Sequence, residues 1–122
     1  VRDGRTTFHL LDQNSNLTIY AIDNNINQFY NNEVKEKYRE RLIAIEGNSP
    51  LLANLIPQVD LIFIDADHSY QGCSRDILAY KNKIKNNGLL TGHDIDYPGV
   101  NKAVKELIGS YDVGPNNVWI AK

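Results

Sequence analysis

Short apolar runs alternate along the chain with longer segments in which apolar residues recur every three or four positions. The apolar runs predict β-strands at 17–22, 42–45, 60–65 and 89–92. The periodic segments predict α-helices at about 6–13, 26–39, 50–56, 71–84 and 98–108. Strands that alternate with helices are typical of an α/β fold with a mainly parallel sheet.

Two features refine this fold. Residues 61–64 are apolar throughout, so we expect their strand to lie at the centre of the sheet, buried on both faces between helices. Two short apolar segments, 111–113 and 118–121, flank a turn at 114–117 and predict a C-terminal antiparallel β-hairpin. No linker or repeat divides the chain, so residues 1–122 are predicted to form a single domain.

The composition narrows the class of protein. The chain is 42% hydrophobic and 23% charged, as expected of a soluble globular protein. A net charge of −2 without a basic stripe does not favour nucleic acid as a partner. The apolar runs are too short to span a membrane. The single cysteine, Cys73, cannot form an internal disulfide, and we expect it to pack in a helix of a cytoplasmic protein.

Polar residues follow each of the four predicted parallel strands. They are Asp23, then Glu46-Gly47-Asn48, then Asp65-Ala66-Asp67-His68, and finally His93-Asp94. The carboxyl ends of parallel strands share one edge of a sheet, so we expect these residues to meet there and bind a ligand. The structural alternative is that acidic residues follow strands as turn formers and helix caps.

Two kinds of chemistry suit these positions. Asp23, after an early strand, suits the hydroxyls of a ribose, and Gly4 would let backbone approach a ligand closely. The carboxylates Asp65, Asp67 and Asp94 suit Mg²⁺, whereas added imidazole ligation would favour Mn²⁺, Fe²⁺ or Zn²⁺. The imidazoles, His68 and His93, are also candidate general bases, with helix capping and a satisfied strand-end histidine as their respective structural alternatives.

Six motifs, in this order and spacing, carry a family resemblance. They are D-G-R-T-T at 3–7, I-D at 22–23, E-G-N-S at 46–49, I-D-A-D-H-S-Y at 64–70, G-L-L-T-G-H-D at 88–94 and P-G-V at 98–100. With them the chain resembles class I S-adenosylmethionine-dependent methyltransferases, in particular the small-molecule and sugar O-methyltransferases. The resemblance implies a Rossmann-like fold and S-adenosylmethionine as the cofactor.

The resemblance also implies roles for the cofactor-binding residues. Gly4 would line the methionine end of S-adenosylmethionine, and Asp23 would hold its ribose. Asn48 and Ser49 would flank the adenine. Asp65 would lie on the cofactor side of the reaction centre.

For the metal, the resemblance assigns Asp65 and Asp94 as carboxylate ligands of Mg²⁺ or another divalent cation. His68 or His93 would act as a ligand or as the base. Catechol-type relatives have Asn directly after the second carboxylate, where this sequence has Ile95, and Asp67 or His93 is then the substitute ligand.

A further departure concerns the start of the chain. The family's first strand should precede Val1 and lie between the strands that end at Asp23 and Asp65. We therefore expect roughly ten or more further residues before Val1. Without that strand, backbone groups would lose their partners. We expect the isolated chain to bind S-adenosylmethionine poorly and to lack full activity.

The sequence thus predicts methyl transfer to a hydroxyl of a small molecule such as a sugar or natural product, with a divalent metal as a possible aid. Two alternatives stay open. Asp65-Ala66-Asp67 also fits the D-x-D metal site of a nucleotide-sugar glycosyltransferase. The chain could instead be a truncated, non-catalytic module whose sheet edge pairs with another chain in an oligomer.

Overall fold

The computed structural model describes residues 1–122, which form two compact units, Val1–Leu52 and Ala53–Lys122. The helices are Arg5–Gln13 (α1), Asn32–Tyr38 (α2), Ser49–Leu52 (α3), Tyr70–Tyr80 (α4) and Pro98–Leu107 (α5). The strands are Ile19–Asp23 (β1), Leu42–Glu46 (β2), Val59–Ile64 (β3), Ile84–Gly92 (β4), Tyr111–Val113 (β5) and Trp119–Ala121 (β6). No helix is both long enough and apolar enough to cross a membrane.

The first unit contains a parallel pair of strands, β1 and β2. Their register runs from Ile19 opposite Leu42 to Asp23 opposite Glu46, so these two acidic strand ends are neighbours. Side chains from the helices and from both strands bury each other in one core, made of Leu11, Ala21, Phe29, Tyr38 and Leu42. The strand ends are therefore fixed by the packing of the elements that lead to them.

The predicted helix at 26–39 is shorter in the structure. A 3₁₀ turn at Ile26–Gln28 precedes α2, whose start is capped by the Asn31 side chain accepting a hydrogen bond from Val34 N at 3.0 Å. A second 3₁₀ turn, Arg39–Arg41, follows α2, and the left-handed backbone of Arg39 (φ 49°) ends the helix.

The second unit contains a four-stranded sheet in the order β3-β4-β6-β5. Strands β3 and β4 are parallel, and β6 is antiparallel to both β4 and β5. The predicted C-terminal hairpin is confirmed, and its second strand lies beside β4. The predicted α/β, Rossmann-like class is likewise confirmed. Each unit holds its own sheet, and the single-domain organisation stays a prediction.

The expectation that the strand at 61–64 is buried on both faces is wrong. Ile62 and Ile64 are each 8% exposed, but Leu61 is 54% and Phe63 is 49% exposed. Successive side chains of a strand point to opposite faces, so the alternation separates a buried face from an exposed one. An apolar run does not by itself show that both of its faces are covered.

Asn86, Asn87 and Gly88 are residue types typical of a helix end, but they do not end a helix here. Helix α4 ends at Tyr80, and β4 already begins at Ile84, so the three residues lie within a strand. The register of β3 against β4 shifts between Val59 and Leu61, and Asn87 has a left-handed φ of 65°. The turn-forming residues lie in this irregularity, and the strand continues after them.

Candidate functional site

A cluster of acidic and imidazole side chains lies where β3 and β4 end. Ile64 pairs with Gly92 at the end of these parallel strands, and His93 N donates a hydrogen bond to the Ile64 carbonyl at 3.0 Å. Asp65 and His93 therefore follow neighbouring strands, as the sequence predicts for this pair of strand ends.

Asp94 lies between the two imidazoles of this cluster. Its Oδ2 is 2.8 Å from His68 Nε2, and its Oδ1 is 3.0 Å from His93 Nδ1. Asp65 Oδ1 lies further away, 3.7 Å from His68 Nε2 and 3.8 Å from His93 Nδ1. Each oxygen of the Asp94 carboxylate thus faces a different ring.

Three of these residues have the spacing of metal ligands. One ligand atom each from Asp65, His68 and Asp94 can be chosen so that all three lie within 4.8 Å of one another. Six ligands at about 2.1 Å from an ion are separated by roughly 3 Å when adjacent and 4.2 Å when opposite. Two carboxylates and one imidazole at this spacing fit a divalent cation.

The loop after β4 holds Asp94 in an unusual backbone conformation. Its φ is 58°, in the left-handed region that few residues other than glycine adopt. Tyr97 N donates to the Asp94 carbonyl at 2.9 Å, and Ile95 N donates to the Asn117 carbonyl at 3.1 Å. These bonds close a tight turn that aims the Asp94 side chain at His68 and His93.

Asp67 has a different environment from Asp65 and Asp94. Its Oδ1 accepts a hydrogen bond from Ser69 N at 2.8 Å, and a Cβ at Gly72 would lie 2.1 Å from its Cγ. The hydrogen bonds from Ser69 hold the pKa of Asp67 below its usual value. Asp67 therefore packs against the first turn of α4, outside the group of three, and its metal role stays a prediction.

Tyr97 is a residue of the site that the sequence motifs do not indicate. Its ring lies 4.9 Å from that of His68 at an interplanar angle of 45°, and its side chain is 47% exposed. The signal was its position three residues after Asp94, which a tight turn brings back towards the cluster. Tyr97 thus forms a rim of the site.

In the first unit, the Asp23 carboxylate accepts hydrogen bonds from the terminal ammonium of Val1 and from two backbone amides. Its Oδ2 lies 2.7 Å from Val1 N and 3.1 Å from Arg2 N, and its Oδ1 lies 3.0 Å from Asn25 N. Burial raises the pKa of this carboxyl, but its hydrogen bonds and the charge of the Val1 ammonium outweigh burial and lower the pKa. Asp23 is thus ionised at neutral pH and can accept hydrogen bonds.

The other predicted cofactor residues of this unit lie in loops. Gly4 precedes α1 with a φ of 78°, and a Cβ there would lie 2.6 Å from the Phe8 ring. Gly47 N donates to the Asp23 carbonyl at 3.0 Å, which ties the ends of β1 and β2 together. The exposed Asn48 comes next and Ser49 begins α3.

Cys73 is 2% exposed within α4. Burial raises its pKa to about 11, so the thiol is neutral at physiological pH. Both observations are consistent with the packing role expected from the sequence.

Comparison with known families gives one match. Residues 1–95 match the sequence profile of a family described as a methyltransferase domain. No curated protein matches the chain.

Solved structures with a similar fold include several methyltransferases. Podospora anserina PaMTH1, solved with S-adenosylhomocysteine, gives a TM-score of 0.75 at 17% identity, covering 99% of this chain and 68% of that one. CalS11, a TDP-rhamnose 3'-O-methyltransferase of calicheamicin biosynthesis, gives 0.68 at 16% identity, covering 100% and 68%. MycE of mycinamycin biosynthesis, solved with Mg and S-adenosylhomocysteine, gives 0.60 at 17% identity, covering 86% and 36%. At these identities the likeness establishes a shared fold alone.

Proposed function

Because the chain belongs to the methyltransferase-domain family, we propose that it transfers the methyl group of S-adenosylmethionine to a hydroxyl of a small molecule, assisted by a divalent cation. The observation that carries the metal-assisted part is the spacing of Asp65, His68 and Asp94. The fold relatives support the reaction class, since one acts on TDP-rhamnose and another was solved with Mg and S-adenosylhomocysteine.

The first unit would bind the methyl donor. S-adenosylmethionine supplies a methyl group that is already activated by its sulfonium, so the protein mainly has to align it with the acceptor. The ionised Asp23 would accept hydrogen bonds from the ribose hydroxyls, since its bonds to the Val1 ammonium and to two backbone amides leave part of its acceptor capacity free. Gly4 would line the methionine end, and Asn48 with Ser49 would flank the adenine.

The cluster of side chains that follows β3 and β4 would act on the methyl acceptor. Asp65 and Asp94 would hold the cation, and a cation there favours ionisation of an acceptor hydroxyl. His68 and His93 are the candidate bases, because an imidazole beside a carboxylate is suited to taking a proton near neutral pH. The exposed Tyr97 ring would contact the acceptor at the rim.

The D-x-D glycosyltransferase alternative has less support. That reading needs both carboxylates of Asp65-Ala66-Asp67 to face one metal. The Asp67 carboxylate instead packs against the first turn of α4 and accepts the Ser69 N–H.

Transfer of a labelled methyl group tests the proposal. The protein is incubated with methyl-labelled S-adenosylmethionine and a panel of catechols, other natural-product phenols and nucleotide-linked deoxysugars, with and without EDTA. We expect label on an acceptor hydroxyl, loss of transfer with EDTA and recovery with added Mn²⁺ or Mg²⁺. Transfer that is unaffected by EDTA would contradict the proposed role of a metal ion. If no acceptor is labelled, the proposed methyl transfer to a hydroxyl is contradicted.

A matched pair of variants makes this assay specific. Asp94→Asn should lower the rate about 100-fold or more, because it removes a charge at the reaction centre. Asp96→Asn removes a charge from an exposed residue two positions along the chain and should leave the rate unchanged. Equal loss in both variants would show that the carboxylate of Asp94 has no special role.

A further inference from the structure

We propose that Tyr97 is a specificity-determining residue, whose exposed ring stacks on an uncharged aromatic acceptor such as a phenol and favours it over a nucleotide-linked sugar. The inference rests on the proposed function, because it names the class of acceptor that would reach the same site. It concerns binding of the acceptor, so it is tested without any methyl transfer.

The Tyr97 ring is half exposed although it lies beside the cluster of ionisable side chains. One side of the ring contacts His68, with 4.9 Å between the ring centroids and 45° between the ring planes. His68 has 41% of its own side chain exposed, and its Nε2 lies 2.8 Å from Asp94 Oδ2. The two rings thus form one half-exposed aromatic surface next to a carboxylate. A planar ligand that covers the Tyr97 ring would bring its own hydroxyl close to the cluster.

The backbone on both sides of Tyr97 is held in place. Tyr97 N donates to the Asp94 carbonyl at 2.9 Å, and the Tyr97 carbonyl accepts from Asn101 N at 2.9 Å. Tyr97 precedes Pro98, the first residue of α5, but its side chain makes no capping hydrogen bond. The start of this helix therefore does not require the ring. An aromatic side chain has few rotatable bonds, so stacking on a fixed backbone costs little conformational entropy.

The charges around the ring favour an uncharged ligand. Asp65 and Asp94 make close contacts with imidazoles, and no lysine or arginine pairs with either carboxylate. Asp67 is also ionised at neutral pH, because hydrogen bonds lower its pKa. Three carboxylates exceed the charge of one divalent cation. A nucleotide diphosphate would add negative charge to a site that is already negative, whereas a phenol adds none.

The shape of the ligand leads to the same class. Aromatic rings attract each other in offset-stacked or edge-to-face arrangements, beyond the gain from burying their area. A sugar ring is puckered and carries hydroxyls, which lose hydrogen bonds to water when they lie against an aromatic face. The exposed part of Tyr97 therefore suits a flat apolar ring better than it suits a sugar.

Binding of catechol to the 122-residue chain tests this inference. Isothermal titration in MgCl₂ compares catechol with TDP-rhamnose and with 3,4-dihydroxybenzoate, which adds a carboxylate to the same ring. We expect catechol to bind about 10-fold or more tightly than TDP-rhamnose. Dihydroxybenzoate should bind more weakly than catechol, by a factor that shrinks at high salt. Equal affinities for catechol and either other ligand, or no binding of catechol, would overturn the proposal.

Substitutions separate stacking from a merely structural role of Tyr97. Tyr97→Ala should weaken catechol binding about 10-fold and leave TDP-rhamnose binding nearly unchanged. Tyr97→Phe keeps the ring and should keep the affinity for catechol. Tyr111→Ala, the matched control, removes a tyrosine from β5, which β6 separates from β4, and should also keep that affinity. Unchanged catechol affinity in Tyr97→Ala, or its loss in Tyr97→Phe or Tyr111→Ala, would overturn the proposal.

The outcomes for acceptor binding and for methyl transfer are separable. Catechol binding that depends on Tyr97, in a protein that transfers no methyl group, would overturn the proposed function and leave the stacking site standing. In an active protein, Tyr97→Ala should raise the KM for a phenol more than it lowers kcat. Methyl transfer to a phenol with a KM that is indifferent to Tyr97 would overturn this inference alone. Circular dichroism shows whether each variant is folded, and Tyr97, at 47% exposed, is replaceable without opening a core.

Discussion

Asp94 combines a strained backbone with a carboxylate at the centre of the candidate site. Its φ of 58° carries a cost for any residue with a Cβ, although Asp and Asn adopt this region more readily than most others. The turn closed by Tyr97 N and the Asp94 carbonyl maintains this conformation. Strain that persists beside a cluster of ionisable groups is typical of functional positions.

Substitutions of Asp94 should separate the effect of its backbone conformation on stability from the effect of its charge on metal binding. Asp94→Asn keeps a residue that tolerates positive φ, whereas Asp94→Ala does not, so the alanine variant should be about 1 kcal/mol less stable than the asparagine variant. Urea denaturation of both variants measures the difference in the free energy of unfolding.

Both Asp94 variants should lose metal binding to a similar extent, because both remove the carboxylate. Asp94→Gly serves as the control for the backbone, since glycine adopts a positive φ without strain. It should be at least as stable as Asp94→Ala. Equal stability of the asparagine and alanine variants would show that the left-handed conformation of Asp94 carries no cost.

At the level of elements, the site depends on the close approach of α5 to the start of α4. Gly99, in the first turn of α5, lies against the backbone of residues 68–70 with no room for a side chain. Tyr70 Oη also donates to Glu106 at 2.5 Å, which links the two helices further along. The position of His68 is therefore set by a helix crossing as well as by its own loop.

Gly99→Ala should disturb both stability and the site. Its Cβ would meet backbone atoms at 2.6 Å, so α5 or the 68–70 loop has to move, and overpacking of this kind costs about 1–3 kcal/mol. Displacement of His68 should also weaken Mn²⁺ binding. Thermal unfolding and metal titration measure the two effects.

Gly114→Ala is the matched control for this substitution. A Cβ at Gly114 meets its nearest atoms at 3.8 Å, which is an ordinary contact, and its φ of −90° suits alanine. Its stability and metal affinity should equal those of the unmodified chain. A Gly99→Ala protein as stable as Gly114→Ala would show that the two helices adjust without cost.

Element order and the polar strand ends were predictable because each rests on a local signal. Apolar runs marked β1 to β4, and the segment around Gly114 and Pro115 marked the hairpin. The pairing of the ends of β3 and β4 followed from the parallel class alone.

The remaining features depend on tertiary contacts that a sequence does not display. Asn87 and Gly88 have turn chemistry, and they lie in an irregularity of β4 between the residues that pair with β3 on either side of them. Asp67 and Asp65 are two positions apart, and only the packing of Gly72 in α4 explains why Asp67 lies outside the ligand group. Tyr97 reaches His68 through a turn whose closure depends on Asp94 adopting a left-handed backbone.

At the scale of the whole 122-residue chain, β3 is an edge strand of its sheet. Strand β3 is the first strand of the four-stranded sheet and pairs with β4 on one side. On this edge strand Leu61 and Phe63 are about half exposed. The unpaired backbone N–H and C=O groups of an edge strand are a template for pairing with another chain, and exposed apolar side chains favour that pairing. In the 122-residue chain this edge is available for pairing with another strand.

We expect the chain to self-associate through β3 at high concentration. Phe63→Lys should shift the population towards monomer, because a charge on an exposed edge opposes strand pairing between copies. Sedimentation velocity over a range of protein concentrations measures the distribution. Leu78→Lys is the matched control, since Leu78 is 50% exposed but lies on the helix α4 and not on a strand.

The two variants distinguish strand pairing at the edge from nonspecific hydrophobic association. If exposed apolar area alone drove association, both lysine substitutions would reduce it equally, since both remove a half-exposed apolar side chain. If β3 pairs with β3 of another copy, Phe63→Lys should act and Leu78→Lys should not. A chain that stays monomeric at all concentrations would contradict the edge as an assembly surface. That result would favour the methyltransferase hypothesis over the hypothesis of a non-catalytic module that pairs with another chain.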